Sequence, residues 1–450
     1  MPAVLSLGRR PRCQYPADAS LSGWCGILPA APRLPSLEGN QQADIVIVGA
    51  GFAGLAAAKR LQDQDPGLRV VVLEAQGLAW AASGRNSGFV IDLPHELNSD
   101  NYTGGAQQDL DQVSDNRLAI EFMAAAVDQF GLQPHFARAG KYHGATNGAG
   151  LKALHDFATH LDALNEPYNK LSKTELAELI GTEYYDGGIF TPGAVQIQPA
   201  GYIRGLGQAL NAAPNTTVYE HSPVVAIETQ PEGALVRTEE GSITAGRVIL
   251  ANNGHIESFG VAKGCLLHLF TYASLTRELS TDELAQLGPA DSWGLIPASP
   301  MGTTLRKLDC GRMLVRNQWT YNPDLRSSDQ QLARYARQHD HCFARRYPAL
   351  ANVEMEYRWS GAVTLSLNGS PVFGEVAEKI FAAAGCQGLG TTKSTLMGML
   401  IADKLLGNSS DALMRLEKLP PPSRMPPRLL NAIGVPAYLK WVHWRAGKDL

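Results

Sequence analysis

The chain has no uninterrupted run approaching the roughly 18–20 apolar residues that a membrane-spanning helix needs, and it lacks the usual nucleophile-elbow motifs. Near the N-terminus, Arg9-Arg10-Pro11-Arg12 has no apolar core behind it, so it does not read as a secretory signal and a cytoplasmic protein is expected. In that setting the glycosylation-type match Asn101-Tyr102-Thr103 carries no meaning. Cysteine is scarce and unpatterned. Cys13, Cys25, Cys265, Cys310, Cys342 and Cys386 include no Cys-x-x-Cys pair, which argues for reduced thiols and against a disulfide framework. An excess of one charge is also lacking. With 39 basic and 43 acidic residues the formal net charge is −4, which gives no reason to expect nucleic acid or an anionic membrane surface as partner. What remains is an ordinary globular composition, 44% apolar and 18% charged, and 450 residues are too many for one core, so two domains are expected.

The densest signal lies in residues 44–92. Asp44-Ile45-Val46-Ile47-Val48 reads as a buried strand, and Gly49-Ala50-Gly51-Phe52-Ala53-Gly54 follows at once. Leu55 to Leu61 has helical character, and a second strand, Arg69 to Leu73, ends in Glu74, 20 residues beyond Gly54. Each part has a job in holding a dinucleotide. Gly49 allows the tight turn, Gly51 lets backbone approach a pyrophosphate, and Gly54 lets the helix pack close to its strand. The helix N-terminus, with Phe52 and Ala53, offers unpaired N–H groups to phosphate. Glu74, followed by Ala75, sets a carboxylate where ribose hydroxyls would lie. A lone Gly-x-Gly-x-x-Gly is weak evidence, but here every flanking element is present.

After Glu74 comes Ala81-Ala82-Ser83-Gly84-Arg85-Asn86-Ser87-Gly88-Phe89, small and polar with one cation. A simple nicotinamide dehydrogenase has no need of such a loop. At this point the chain resembles the flavin-dependent amine and amino-acid oxidoreductases of the D-amino-acid oxidase, glycine oxidase and sarcosine oxidase superfamily. Its likeness is greatest to the γ-glutamylputrescine oxidase-like branch, in which a Ser-Gly-Arg-Asn segment lies along the flavin. The resemblance runs from about Trp24 to Gly407. It implies an FAD cofactor with Ser83, Gly84, Arg85, Asn86 and Ser87 beside it, a small amine or amino-acid substrate, and oxygen or another electron acceptor as partner.

Organisation along the chain fits a Rossmann-like α/β FAD-binding domain interleaved with a sheet-based α+β substrate domain. Residues 1–40, rich in Pro and Gly, read as an arm, part of it packed because Trp24 and Ile27 are poor residues to leave in water. The FAD-binding domain is expected from 41–95, 196–262 and 358–410, the substrate domain from 96–195 and 263–357, and a tail from 411–450. Helical periodicity marks Asn116 to Phe130, Leu151 to Leu164, Lys173 to Ile180 (with Ser172 and Glu175 as a capping box), Tyr202 to Leu210 and Gln330 to Arg346. Strands are expected at Val224 to Glu228, Ala234 to Arg237 and Ser242 to Leu250, and a hairpin at Gly302 to Lys307 with Arg312 to Arg316. The strand ending at Ala251-Asn252-Asn253-Gly254 should return to the central sheet beside the cofactor, and the resemblance places Val224 against the adenine. In the tail, Trp441 and Trp444 fall on one helical face and are expected to dock it, the alternative being a partner or membrane-surface role.

A second strand–glycine–helix junction lies at Ile380 to Ala384 and Gly385-Cys386-Gln387-Gly388-Leu389-Gly390-Thr391-Thr392-Lys393. In the family this helix points its positive end at the flavin pyrimidine, where negative charge collects on reduction. Gly388, Leu389, Gly390, Thr391, Thr392 and Lys393 are therefore candidates to contact it. Amine oxidation by flavin needs mainly positioning from the protein, so an anchor for the non-reacting end of the substrate is expected. Arg85 and Arg316 are the candidates, because an arginine holds a carboxylate by two parallel N–H bonds, with Trp319 or Tyr321 as pocket wall. Some sarcosine oxidase-like members attach flavin to a cysteine, but Trp359 to Pro371 has none and Ser83 to Gly88 has no histidine, so non-covalent FAD is expected. The family's carboxylate-holding lysine aligns with Thr392, one step from Lys393, which weakens the case for a simple N-methyl amino acid. His339-Asp340-His341-Cys342 looks metal-like, but on a helix the two histidines point about 200° apart, and no metal is expected. His95 is placed at the mouth of the active site, the alternatives being a loop or a core histidine, and His268 has no readable context. The resulting expectation is FAD-dependent oxidation of a C–N bond, the alternatives being a flavin monooxygenase or a non-catalytic flavin-bearing subunit.

Overall fold

The structure is a computed structural model and describes residues 4–6, 16, 18, 20–94 and 105–450. His95 lies outside the described residues. A nine-stranded sheet is organised around the strand Gly39–Val48, which runs parallel between Val70–Leu73 and Gly241–Leu250. Thr216–Tyr219 extends the parallel set beyond Val70–Leu73. Gly241–Leu250 acts as a fork. Its N-terminal half pairs antiparallel with Gly233–Arg237, and its C-terminal half pairs parallel with Ile380–Ala384. Ile45 to Val48 and Val70 to Leu73 are covered on both faces, which is why these strands read as continuous apolar runs with no alternation.

Two helices, Phe52–Gln64 and Gly390–Leu406, each follow a glycine turn and cross with very little space between them. A Cβ on Gly398 would sit 2.1 Å from the Ala53 carbonyl oxygen, and one on Gly54 would sit 1.8 Å from the Gly49 carbonyl oxygen. At the far end Arg60 Nε donates to Asp403 Oδ1 at 2.8 Å. Ala56, Ala57 and Ala58 keep the first helix slim enough for this packing.

An eight-stranded sheet stands opposite, in the order Met355–Ser366, Leu266–Thr276, Arg312–Tyr321, Thr304–Leu308, Trp293–Pro297, Lys141–Ala145, Gly187–Thr191, Asn169–Ser172. A small sheet of Phe89–Val90, Val195–Ile197 and Phe136–Ala137 stands beside them. The predicted helices form as Ala106–Phe130, Gly148–Leu164, Lys173–Ile180, Pro199–Ala212 and Asp329–Arg346, and the Ser172–Glu175 capping box is present. In the N-terminal arm, Val4–Ser6 adds an antiparallel strand to Ala226–Gln230. Trp24 is buried at 6.4 Å from Trp359 and donates its indole N–H to the Asn86 carbonyl at 2.7 Å.

One expectation is corrected. The helix Arg428–Ala446 forms, but Trp441 and Trp444 are 48% and 78% exposed; Leu439, packed with Leu269 and Trp319, anchors it instead. The reason is the neighbouring surface: strand Arg312–Tyr321 offers Trp319, and His443 Nε2 accepts its backbone N–H at 3.3 Å, which turns the other helix face outward.

Two outcomes test this packing. Gly398→Val should cost about 1–3 kcal/mol through overpacking against the Ala53 carbonyl, seen as a lower midpoint in thermal denaturation. His339 is buried with Nδ1 at 2.7 Å from Ser274 Oγ, and burial together with Arg358 and Arg316 lowers its pKa from 6.5 to about 3. Between these values the unfolded chain holds the proton and the native one does not, so stability falls as pH drops from 6.5 toward 3, by at most about 1.4 kcal/mol per pH unit. Urea titrations at neutral and mildly acidic pH should show His339→Gln losing less stability on acidification than the parent.

Candidate functional site

The C-terminal ends of the four strands Gly39–Val48, Val70–Leu73, Gly241–Leu250 and Ile380–Ala384 open on one cleft. Ligands of open parallel sheets bind at this edge. Gly49, Gly51, Phe52 and Ala53 line it from the first turn, and Glu74 and Ala75 from the end of the second strand. Gly49 has φ +105°, and its missing Cβ would lie 2.9 Å from the Ala251 carbonyl oxygen. A Cβ on Gly51 would project to 2.6 Å from Ser83 Oγ, so glycine here keeps the groove between turn and loop open. Gly54 lies behind the turn, in contact with Gly49.

Glu74 is buried. Its Oε2 accepts the Ala50 N–H at 2.9 Å and its Oε1 accepts the Gln76 N–H at 3.0 Å. Burial pushes its pKa above the usual carboxylate range, and these N–H donors oppose the rise. Ser83, Arg85, Asn86 and Ser87 form one wall, with Ser83 Oγ accepting the Phe52 N–H at 3.3 Å. Gly84 is packed beneath, because a Cβ there would sit 1.9 Å from the Ala79 carbonyl oxygen. Val224, Ala251 and Gly254 complete the opposite wall.

At the second junction Gln387 and Gly388 take left-handed conformations, φ +52° and +82°, and Gly388 and Gly390 line the cleft. Asn253 Oδ1 accepts the Gly385 N–H at 3.1 Å, tying this turn to the fork strand. The remaining candidates of the motif are not among the residues that line the cleft. Thr392 Oγ1 accepts the Ile91 N–H and donates to the Ile91 carbonyl, both at 3.1 Å. Leu389 packs with Phe89, Ile91 and Ile296, Thr391 is buried, and Lys393 is half-buried, its backbone N–H bonded to the Leu389 carbonyl.

The two candidate arginines differ sharply. Arg85 is buried, and its guanidinium donates to the carbonyls of Trp80 (2.7 Å), Ser360 (3.0 Å) and Ser20, with Asp18 at 3.6 Å. It fastens the loop to the arm and to the second sheet. Arg316 is half-buried and lines the far part of the cleft with Phe270, Tyr272 and Leu325. A bulge sets it there: Thr271 pairs with Trp319 and Tyr272 with Asn317, leaving Gln318 as an extra residue at φ +64°. Strand residues three apart ordinarily face opposite ways, yet with the bulge the Arg316 guanidinium lies 4.8 Å from the centre of the Trp319 ring. Tyr321 is half-buried and packs with the cluster beneath the C-terminal helix.

Sequence reasoning missed the walls contributed by Leu266–Thr276 and Met355–Ser366. Tyr272 is buried, its hydroxyl 2.8 Å from Thr320 Oγ1, and burial raises its pKa to about 12. Asn252 Oδ1 and Thr364 Oγ1 are buried on the cleft without a protein partner; such groups require a ligand or water, which suits a cofactor with polar edges. His268, which lacked context in the sequence, pairs with Glu257 at 2.7 Å. Among the described residues no three metal-ligating side chains come together.

A family model described as FAD-dependent oxidoreductase (DAO) matches residues 44–404. The chain belongs to this family. It is an oxidoreductase whose cofactor is FAD. A probable oxidoreductase OrdL of Haemophilus influenzae is 27% identical over 90% of this chain and 93% of its own length. The γ-glutamylputrescine oxidoreductase of Escherichia coli K12 is 25% identical over 84% of this chain and 88% of its own. Among solved structures, glycine oxidase from Geobacillus kaustophilus superposes with a TM-score of 0.69 at 21% identity, covering 82% of this chain and 96% of that one. An L-amino acid deaminase from Proteus myxofaciens gives 0.66 at 16%, covering 88% and 95%. These structural likenesses establish the fold.

Gly51→Val would push a branched side chain into the groove against Ser83. The flavin-to-protein absorbance ratio of the purified variant should fall at least about tenfold, with the circular dichroism of the fold retained.

Proposed function

We propose that this FAD enzyme oxidises the C–N bond of a small amine or amino acid and holds a substrate carboxylate through Arg316. The observation that carries the reading is the continuity of one cleft. Its inner part is built of glycine turns and helix N-termini, and its outer part carries a half-buried arginine beside a neutral tyrosine. In this reading the first turn, Glu74 and the Ser83–Ser87 loop hold the dinucleotide, Val224 borders its adenine, and Gly388 and Gly390 present backbone at the flavin end. Bound FAD supplies the hydride acceptor for the substrate carbon. It is held without a covalent bond, in keeping with a stretch from Trp359 to Pro371 that contains no cysteine and a Ser83–Gly88 loop that contains no histidine.

The residues at the outer end bind and orient. The Trp319 ring braces the Arg316 guanidinium by a cation–π contact, and the planar fork of an arginine suits a carboxylate. Tyr272, kept protonated by burial, serves as a neutral donor in a chain to Thr320 and Asn322. Phe270 and Leu325 give an apolar wall that excludes water from the reacting carbon. Arg85, with its guanidinium spent on carbonyls, acts as a fastener of the flavin loop in this scheme.

Anaerobic flavin bleaching over amino acids, N-methyl amino acids and polyamine conjugates tests the proposal. A carboxylate-bearing amine should bleach the flavin, and Arg316→Gln should weaken its binding by about 10- to 100-fold, the loss of a charge-assisted hydrogen-bond pair. A flavin inert to every amine, or a variant that binds carboxylate substrates as tightly as the parent, would overturn it.

A further inference from the structure

The C-terminal helix Arg428–Ala446 buries one narrow face, through Asn431, Leu439 and Ala446, and presents the opposite half to solvent. That outer half is strongly apolar. Leu429 is 81% exposed, Ile433 74%, Trp444 78% and Leu430 62%, with Trp441 and Tyr438 about half exposed. At 100° per residue these six side chains fall within one continuous arc of about 180°. A soluble monomer seldom exposes so contiguous an apolar stripe.

Charge is distributed just as unevenly. Residues 419–450 hold Arg424, Arg428, Lys440, Arg445 and Lys448 against the single acid Asp449, which is buried. That segment is formally +4, so a chain of net charge −4 has −8 on the rest of its length. Lys440 and Arg445 fall about 20° inside the two edges of this arc, and the Arg445 guanidinium lies 4.9 Å from the centre of the Trp441 ring.

We infer that this helix docks the protein on an anionic lipid bilayer, lying in the plane of the interface. Tryptophan, leucine and isoleucine on one side with lysine and arginine at the rims is the composition of such a helix. Its indoles would rest at headgroup depth, and the basic residues would be drawn to anionic headgroups. Among the described residues no helix is long and apolar enough to cross a membrane, so the contact is in-plane. A second copy of the chain is a poorer occupant: a twofold pairing of this face would bring the same basic rims together, a like-charge cost. Docking would also bear on the substrate end, because Leu439 packs on Trp319, the ring that braces Arg316.

The test uses the full-length protein loaded with FAD and vesicles of phosphatidylcholine alone or mixed equimolar with phosphatidylglycerol. The protein should co-float with the mixed vesicles, bind the neutral ones more weakly, and lose affinity as salt is raised. The double variant Trp441→Ala/Trp444→Ala should bind the mixed vesicles at least about tenfold more weakly, with FAD content and thermal midpoint unchanged. Absence of binding to the mixed vesicles, binding undiminished in the double variant, or a parent dimer that the double variant turns into a monomer on gel filtration would each overturn the inference.

Discussion

Two helices can place their N-termini at one cleft only if their backbones come very close where they cross. Gly398 meets the Ala53 carbonyl of the other helix at a distance that leaves no room for a Cβ, and Gly54 packs as tightly on the Gly49 carbonyl of its own turn. These contacts lock the first glycine turn, the strand leading into it and the C-terminal glycine helix into one rigid unit. The fork in Gly241–Leu250 then follows. Ile380–Ala384 must lie parallel beside its C-terminal half for the last helix to start at the cleft, so the antiparallel hairpin is confined to the N-terminal half. The cleft is thus a consequence of close helix packing as much as of any residue that faces it.

Buried cations hold the wall between the two sheets. Arg85 and Arg306 approach the 80–88 loop from different sides, and both spend their guanidinium on backbone carbonyls. Burial lowers the pKa of each, that of Arg306 to about 9. Rings flank the Arg306 charge, with Trp24 at 5.2 Å and Phe89 at 5.5 Å. Such an arrangement fixes a loop that has few apolar side chains of its own. Arg85 is thus engaged by backbone carbonyls, while Arg316, on a distant strand, is half-buried on the lining of the cleft.

Much of the architecture was legible from local pattern. The glycine turn at 49–54 and its flanking strands, the capping box at Ser172, the strand Ile380–Ala384 and the helix ending at Leu406 all carry a strong short-range signature. Strands Leu266–Thr276 and Met355–Ser366 were not legible. They mix Thr271, Ser274, Ser360 and Thr364 into apolar sequence, and their burial comes from sheet neighbours and covering helices that lie far away in the chain. Tyr272, Thr364 and the bulge at Gln318 were invisible for the same reason, since no local pattern announces them. Net charge misled in a different way: a total of −4 averages a basic tail with an acidic body. The tryptophan spacing identified the face shared by Trp441 and Trp444 correctly, but spacing cannot say whether that face turns inward.

The fork strand has a further consequence for how the protein is made. Gly241–Leu250 leaves the ribosome well before its neighbour Ile380–Ala384 and the helix that ends at Leu406. During that interval an apolar strand edge and the flank of the first glycine helix stand uncovered, and pairings this distant in sequence form slowly. A nascent chain stalled before residue 380 would lack both the partner of that edge and the second glycine junction of the cleft.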